Sequence, residues 1–499
     1  MRIFFSDHLK SKLGLKLPIC LSFLIAIAFS TDPLFTANQN VYLLQGIAKA
    51  VGPPLTNDWL ANQTDHLFLF TWLTKVTYLI SPKLFYFYHV LLSFILIFSL
   101  YIISKKLTGI DVSNSLIIFY FFLFFLATKF FSILNGLAGQ YILGSYFQPS
   151  AFGVFLAASI AFFIFKKYFV AIICCLIASY FHPTYILQAA FLTLTYQLIL
   201  FKSGNIKYAL YLGIFALIAI SPLVYFLFND FGDISSKILT KSNEILVYNR
   251  IPHHTLFINW YLTNHSLLGL GTLTATIIIY RNNQNIILLI VIPLILSIFF
   301  FTYANLTNNL MMLLLFGQRA SVWLMPLSAS LLLLRLVKIT RWEYYFNLPI
   351  KILSIITILI IFILSILGFN KTIQDYHDKN KNELYSFLAS LDYNDGILLS
   401  PADRMNVRLN AKVPIFVDFK SHPYRGEEVI EWRARLLLSN KFYNSSSTIK
   451  EKILVLGEIN AKQKLKYILL DSDEPIKNCI PIYKDNNSIV YDAKKCFRY

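Results

Sequence analysis

The sequence is poor in charged residues, which make up 14% of its 499 positions, whereas soluble proteins carry about 25%. Hydrophobic residues reach 57%, so the chain cannot cover itself with a water-compatible surface. This excludes a soluble enzyme, a disordered chain and a collagen-like fibre. Only five cysteines occur, which excludes a disulfide-rich secreted scaffold. The net charge of +18 comes without a Lys/Arg run or zinc-ligand spacing, so we expect no nucleic-acid partner.

The charge divides the chain into two regions. Residues 1–369 hold 23 basic and 9 acidic residues, and residues 370–499 hold 21 and 17. We therefore predict a transmembrane body over 1–369 and a small soluble α/β domain over 370–499.

Apolar segments near the length of a membrane-spanning helix recur along the body. We predict about eleven transmembrane helices, near 17–31, 84–104, 113–133, 149–165, 168–181, 184–201, 208–228, 265–280, 286–304, 321–337 and 349–369. Segment 67–80 is short and carries Lys75 in its middle, so we interpret it as a helix in the membrane interface. Residues 1–28 also have features of a signal peptide, but an uncleaved first span fits a multi-pass chain better.

The basic residues set the predicted orientation, because Lys and Arg concentrate on the cytoplasmic side. A cytoplasmic N-terminus places 15 of the 23 basic residues of the body inside. An odd number of spans then places the C-terminal domain outside. The protein is therefore predicted to lie in a bacterial cytoplasmic (inner) membrane, in contact with membrane lipids.

Polar residues collect on the predicted outer side, above all in a long outer loop over 32–83. Candidate catalytic or binding residues on this side are Asn38, Asn40, Tyr42, Asp58, Asp65, His66, Gln148, His182, Arg250, His253, His254 and Arg319. Loops on a rigid scaffold are where binding and catalysis usually occur.

Each candidate also has a structural interpretation. Asp58 is equally consistent with a helix N-cap beside an interfacial Trp59, and Asp65 with a helix cap. His182 before a proline favours a span end over a ligand. His253 and His254 are adjacent and point apart, which disfavours a metal pair. Arg319 fits lipid headgroups as well as a bound phosphate.

Several strings resemble a known superfamily. A polar stretch NQNVYLLQGIA (38–48), NDWLAN (57–62), the pair DH (65–66) and an amphipathic helix follow one basic-flanked span. This order resembles the GT-C superfamily of polytopic glycosyltransferases. The strings FQPSAFG (147–153), FHPTY (181–185), RIPHH (250–254) and VDFKSHPY (417–424) are similar to an uncharacterised bacterial membrane family of this shape.

The resemblance implies an inverting glycosyl transfer from a polyprenyl-phosphate-linked sugar at the outer face, in the cell envelope. Asp58 or Asp65 would be the base; Arg250 and Arg319, with His253 or His254, would contact phosphate. GT-C enzymes place a carboxylate shortly before a tyrosine in the first loop, whereas Asn38 and Asn40 precede Tyr42 here. The amides can hydrogen-bond a sugar but cannot take a proton. A divalent metal is a possible cofactor, although no ligand spacing indicates one.

The C-terminal region alternates apolar strands and helical stretches. We predict strands at 396–400, 414–419, 467–471 and 488–491 and helices at 427–438 and 448–464. Cys479 and Cys496 flank a predicted hairpin and would form a disulfide in an oxidising compartment.

Two alternatives to a glycosyltransferase-like enzyme stay open. One is a transporter for a polysaccharide or lipid precursor, which is disfavoured because the sequence has no internal repeat. The other is a non-catalytic scaffold for envelope assembly, which the amides at 38–40 favour.

Overall fold

A computed structural model describes residues 2–30, 32–110, 112–232, 234–340, 347–380, 382–444, 446, 448–473, 475–476 and 479–496. The described chain is largely helical, with a small sheet near its C-terminus. It divides into two compact units, each described by itself below. The membrane unit comprises Met1–Thr31, Tyr86–Tyr225 and Val247–Lys371, and the polar unit comprises Asp32–Phe85, Phe226–Leu246 and Thr372–Tyr499.

Seven helical segments in the described chain are long and apolar enough to cross a membrane: Leu84–Thr108, Asn114–Phe131, Pro183–Lys202, Ile206–Gly232, Gln284–Leu306, Leu310–Ile339 and Ile358–Tyr376. Five shorter apolar helices are Leu15–Phe29, Phe68–Ile80, Pro149–Ile164, Tyr168–Phe181 and Asn264–Ile279. The predicted count of about eleven spans is therefore not confirmed. Every predicted span overlaps one of these helices. Leu15–Phe29 is part of the longer helix Arg2–Phe29, and Ile358–Tyr376 is part of Asn347–Asn380. Pro149–Ile164, Tyr168–Phe181 and Asn264–Ile279 are shorter than a typical span.

The remaining helical elements of the membrane unit are short. They are Leu137–Gly139, Pro252–Thr255, Phe257–Tyr261 and, at the boundary of the unit, the π-helical Ile245–Arg250. Leu310–Ile339 is built from Leu310–Leu313, the 3-10 turn Gly317–Ala320 and Ser321–Ile339. Gln284–Leu306 packs against Gly317–Ala320, where a Cβ on Gly317 would clash with the Phe300 ring. Glycine at this position therefore permits the close approach.

The first part of the polar unit is a set of short helices, Gln39–Tyr42, Leu44–Val51, Leu55–Asn57 and Leu60–Asn62, followed by Phe68–Ile80. Phe68–Ile80 buries Thr71, Thr74 and Thr77 and exposes Trp72 and Ile80. At 1.5 Å per residue its 13 residues span about 20 Å, less than the hydrocarbon core.

The sheet of the polar unit has four strands in the order β1-β2-β4-β3. The strands are β1 Ile397–Leu399, β2 Leu465–Asp471, β3 Tyr483–Lys484 and β4 Ser488–Asp492. β1 is parallel to β2, and β4 is antiparallel to both β2 and β3. The helices are Ser236–Glu244, Glu383–Ser390, Val407–Ala411, Gly426–Tyr443, Ile449–Lys462 and Ala493–Cys496.

Local sequence explains two of these helices. Asn382 caps Glu383–Ser390 by accepting a hydrogen bond from the Tyr385 backbone N–H. Thr448 and Glu451 form a reciprocal capping box at the start of Ile449–Lys462.

The strand predicted at 414–419 is wrong. It is reduced to one bridge, in which Ile415 pairs with Leu398. The chain turns away after Phe416 because the carboxylate of Asp418 accepts a hydrogen bond from the Ser421 backbone N–H three residues later.

Candidate functional sites

Asp58, a predicted base, lies in the interior of the polar unit and is 0% exposed. Its Oδ2 accepts hydrogen bonds from Arg408 Nε at 2.8 Å and from the Ile415 backbone N–H at 3.0 Å. Its Oδ1 accepts from the Leu60 backbone N–H at 2.9 Å. Both carboxylate oxygens are thus engaged by the protein, as in a structural ion pair.

Arg408 is shared between two carboxylates, because it also donates to Asp418. Burial lowers the pKa of the Arg408 guanidinium, but the charges of Asp58 and Asp418 raise it by more. Burial raises the pKa of Asp418, although Arg408 opposes this. The three side chains form a buried charge cluster, which we call the Arg408 cluster.

Asp65, the other predicted base, is 19% exposed. Its Oδ1 accepts from the Leu67 backbone N–H and from Thr71 Oγ1, both at 3.0 Å. Its Oδ2 lies 3.4 Å from Lys49 Nζ. Asp65 therefore stabilises the start of Phe68–Ile80, as the structural interpretation expects, and it also keeps part of its carboxylate accessible.

A small cavity in the polar unit, called the Asp65 pocket below, brings together predicted and unpredicted residues. It is lined among others by Tyr42, Asp65, His66 and His422. The ring of His66 lies 4.3 Å from that of Tyr424. Burial lowers the pKa of His66 to about 4, although the charge of Asp65 opposes this. His66 is therefore neutral at neutral pH and can both donate and accept a hydrogen bond.

A second carboxylate beside this pocket was missed by sequence reasoning. Glu428 Oε1 accepts from the Thr64 backbone N–H at 2.9 Å and from Thr64 Oγ1 at 2.6 Å. Its Oε2 is buried and has no hydrogen-bond partner among the described residues. In the sequence Glu428 reads only as an acidic residue in the first turn of a helix, so no local signal distinguishes it.

The amides of the first loop have structural partners. Asn40 Nδ2 donates to Asn406 Oδ1 at 2.8 Å and to the Phe35 backbone carbonyl at 3.2 Å. The Asn38 backbone carbonyl accepts from the Tyr42 backbone N–H at 3.1 Å. Asn40 is 0% exposed, so the structure gives it a role in holding the loop.

In the membrane unit, Arg319 lies within the candidate span Leu310–Ile339. Its guanidinium carbon lies 4.7 Å from the centre of the Phe316 ring. Its buried Nε has no hydrogen-bond partner, and no carboxylate pairs with it in the part of the chain that the structure describes.

Uncharged polar groups lie on the segments next to Arg319, whose backbone N–H donates to the Phe316 carbonyl at 3.0 Å. Gln188 Nε2 donates to the Phe316 backbone carbonyl at 2.7 Å, and Gln318 Nε2 donates to the His254 carbonyl. The Oε1 atoms of both glutamines and Nε1 of Trp323, one turn after Arg319, are buried without a partner among the described residues. We call Gln188, Gln318, Arg319 and Trp323 the Arg319 cluster. From the sequence, Arg319 is a candidate and Gln318 is a polar residue of the same predicted outer loop, whereas Gln188 and Trp323 read as ordinary span residues.

The remaining candidates also lie in the membrane unit. His182 Nδ1 is 3.0 Å from Thr184 Oγ1, and the Tyr185 hydroxyl donates at 2.8 Å to the Ser150 carbonyl, two residues after the buried Gln148. The ring centres of His253 and His254 are 4.1 Å apart, so the prediction that these two side chains point apart is wrong. Arg250 is buried at the end of Ile245–Arg250. Of these residues, His254 contacts the Arg319 cluster, because its backbone carbonyl accepts the hydrogen bond from Gln318 Nε2.

A metal ion requires several ligand side chains that converge on one point. Within the described ranges, no group of three or more His, Cys, Asp or Glu residues is placed to hold a metal ion. The two carboxylates of the Arg408 cluster are both paired with the Arg408 guanidinium instead.

Cys479 and Cys496 are joined by a disulfide, with their Cα atoms 5.3 Å apart. The bond closes the segment that contains the β3–β4 hairpin. Cys20, Cys174 and Cys175 are free thiols.

Comparison with known proteins was informative for the C-terminal region. A family model described as a domain of unknown function (DUF6798) matches residues 383–438. None of the curated proteins matches the chain. The matched segment contains Arg408, Asp418, His422 and Glu428, so it supplies the groups that contact Asp58 and Thr64 of the first loop.

Proposed function

We propose that the protein is an integral membrane glycosyltransferase-like enzyme that uses a polyprenyl-phosphate-linked sugar at the outer face of the cytoplasmic membrane. The observation that carries the proposal is Arg319, a half-buried guanidinium in the 3-10 turn Gly317–Ala320 of the candidate span Leu310–Ile339, without a described carboxylate partner. An ionisable residue in a membrane segment is costly and usually functional. A guanidinium binds a phosphate through two parallel charge-assisted hydrogen bonds, and Trp323 Nε1 offers a further donor.

Transfer of the sugar requires one inverting displacement. The acceptor hydroxyl loses its proton to a base, its oxygen attacks the anomeric carbon, and the bond from that carbon to the phosphate oxygen breaks. The phosphate leaves with the electron pair, and positive charge stabilises it. Asp65 is the better base of the two carboxylates, because Asp58 is enclosed and its oxygens are occupied.

Phosphate recognition is tested by measuring how tightly the full chain in lipid nanodiscs binds a short-chain prenyl phosphate and the corresponding prenyl alcohol. We expect the phosphate to bind at least tenfold more tightly, and Arg319→Gln to abolish that difference. Arg335→Gln is the matched control, because Arg335 is an exposed arginine on the same helix. Equal binding of phosphate and alcohol by the unmodified chain would contradict the proposal.

Catalysis is tested by release of prenyl phosphate from a panel of prenyl-phosphate-linked hexoses. Asp65→Asn is expected to reduce the rate by about 10²–10⁴-fold, whereas Glu458→Gln, at an exposed site on Ile449–Lys462, leaves it unchanged. An unchanged rate for Asp65→Asn would remove Asp65 as the base.

The second candidate is a non-catalytic scaffold that binds a lipid phosphate. The enclosure of Asp58 favours it, since one of the two predicted bases has a structural role. Phosphate-dependent binding without release of prenyl phosphate from any donor would support the scaffold over the enzyme.

A further inference from the structure

The polar unit has a second cleft, away from the residues that line the Asp65 pocket. Its volume is about 400 Å³, within the range of small-molecule sites. It is formed by the start of Glu383–Ser390, the loop before Val407–Ala411 and the turn between β3 and β4. Eight of its ten described lining residues are polar, and Leu384 and Val407 supply apolar surface.

Two charged side chains of the cleft are held in fixed orientations. Arg404 donates to Ser488 Oγ at 2.8 Å, to the Asn487 carbonyl at 2.9 Å, and to Asp471. Asp485 Oδ1 accepts from the backbone N–H groups of Asn487 and Ser488, both at 2.7 Å. Such pre-ordered groups lose little conformational entropy when a ligand binds.

Other polar groups of the cleft are not engaged by the protein. In the described part of the chain, no hydrogen bond involves the Asp403 carboxylate or the side-chain amide of Asn487. Asn382 and Asn406 use their Oδ1 atoms, towards the Tyr385 backbone N–H and Asn40 respectively, which leaves their Nδ2 groups as donors. Paired amide donors and carboxylate acceptors match adjacent hydroxyl groups, each of which donates and accepts.

The charges of the cleft disfavour other ligands. Arg404 is paired with Asp471, and Asp403 and Asp485 add negative charge, so an anion would be repelled. The polar lining disfavours an apolar ligand. From these observations we propose that this cleft binds a neutral saccharide of about two sugar units, with Tyr385 and the apolar residues against the C–H face of a ring.

The saccharide site does not depend on the proposed function, because it requires neither Arg319 nor transfer chemistry. The experiment uses the full chain in lipid nanodiscs, since common detergents carry sugar headgroups. Cellobiose, maltose and N,N′-diacetylchitobiose are the probes, each at millimolar concentration, and saturation-transfer NMR reports binding. Glucose-1-phosphate serves as the anionic comparison.

At least one of the three disaccharides is expected to give a transfer signal, and glucose-1-phosphate a weaker one. Asp403→Ala and Asn406→Ala should each weaken binding about tenfold, while Glu458→Gln leaves it unchanged. Thermal unfolding of each variant separates lost binding from lost folding. The proposal is overturned if all three disaccharides fail to bind, or if both cleft variants fold and bind as the unmodified chain does. Prenyl phosphate binding would survive that failure.

Discussion

Arg408 and Asp58 are separated by 350 positions in the chain and joined by a 2.8 Å hydrogen bond in the interior of the polar unit. Other contacts also join the first loop to the C-terminal part of the chain. Asn57 Nδ2 donates to the Tyr393 carbonyl at 3.2 Å, and the Arg435 guanidinium lies 4.5 Å from the centre of the Trp59 ring. The first loop is therefore a structural part of the C-terminal fold.

Removal of Arg408 should be strongly destabilising. Arg408→Met leaves Asp58 and Asp418 buried without their counter-charge, so we expect a loss of about 3–5 kcal/mol in the free energy of unfolding. Lys464→Met is the control, because it removes a surface ion pair whose partners are 43% and 53% exposed, worth at most about 1 kcal/mol. Denaturant unfolding in detergent measures both. Similar small losses would show that the Arg408 cluster does not stabilise the fold.

The three segments of the polar unit should be accessible from one side of the membrane. Single cysteines at Asn62, Lys237 and Glu451, all exposed positions, are introduced into a chain whose Cys20, Cys174 and Cys175 are replaced by serine. A membrane-impermeant maleimide should label all three from the outside of intact cells. A cysteine at Lys167, predicted to be cytoplasmic, should react only after permeabilisation. The opposite pattern would reject the predicted orientation.

Because His66 is buried in its neutral form, the free energy of unfolding should decrease as the pH is lowered. Its pKa is lowered by burial from 6.5 to about 4, so the unfolded chain binds the proton more readily between these values. Stability is therefore complete above about pH 6.5 and falls as the pH decreases towards 4, by about 1–3 kcal/mol. His66→Gln should remove this part of the pH dependence, whereas His265→Gln, at an exposed position, should retain it. Melting temperatures between pH 4 and 7 decide the outcome.

The disulfide should protect both of its cysteines from alkylation. Cys479 and Cys496 are 17 positions apart, and a loop of this size contributes about 3 kcal/mol. Cys496→Ser should lower the melting temperature, and so should reduction of the unmodified chain. Mass spectrometry after alkylation is the direct measurement. Modification of both thiols without a reductant would mean that the bond is absent from the protein.

The helical, membrane-type body and the small C-terminal sheet could be predicted because apolar runs and alternation are local signals. The number of spans could not. Tyr168–Phe181 is as apolar as its neighbours, yet it has only 14 residues. Hydropathy reports that a segment is buried in an apolar medium, whereas crossing depends on where the helix begins and ends.

The candidate sites were less predictable than the fold. Asp58 and Asp65 both read as loop carboxylates, and only tertiary contacts distinguish them: Asp58 meets Arg408, while Asp65 remains partly exposed. The unpartnered atoms of Gln188, Gln318 and Trp323 depend on the packing of distant helices. No spacing in the sequence indicates such packing.

The polar unit is built from three separate segments, Asp32–Phe85, Phe226–Leu246 and Thr372–Tyr499. If all three lie on one side of the membrane, the chain must cross the membrane an even number of times between one segment and the next. Between the second and third segments, three helices of the described chain are long enough to span the membrane: Gln284–Leu306, Leu310–Ile339 and Ile358–Tyr376. An even number therefore requires one more crossing in this stretch, and the shorter apolar helix Asn264–Ile279, with 16 residues, is the described helix that can supply it.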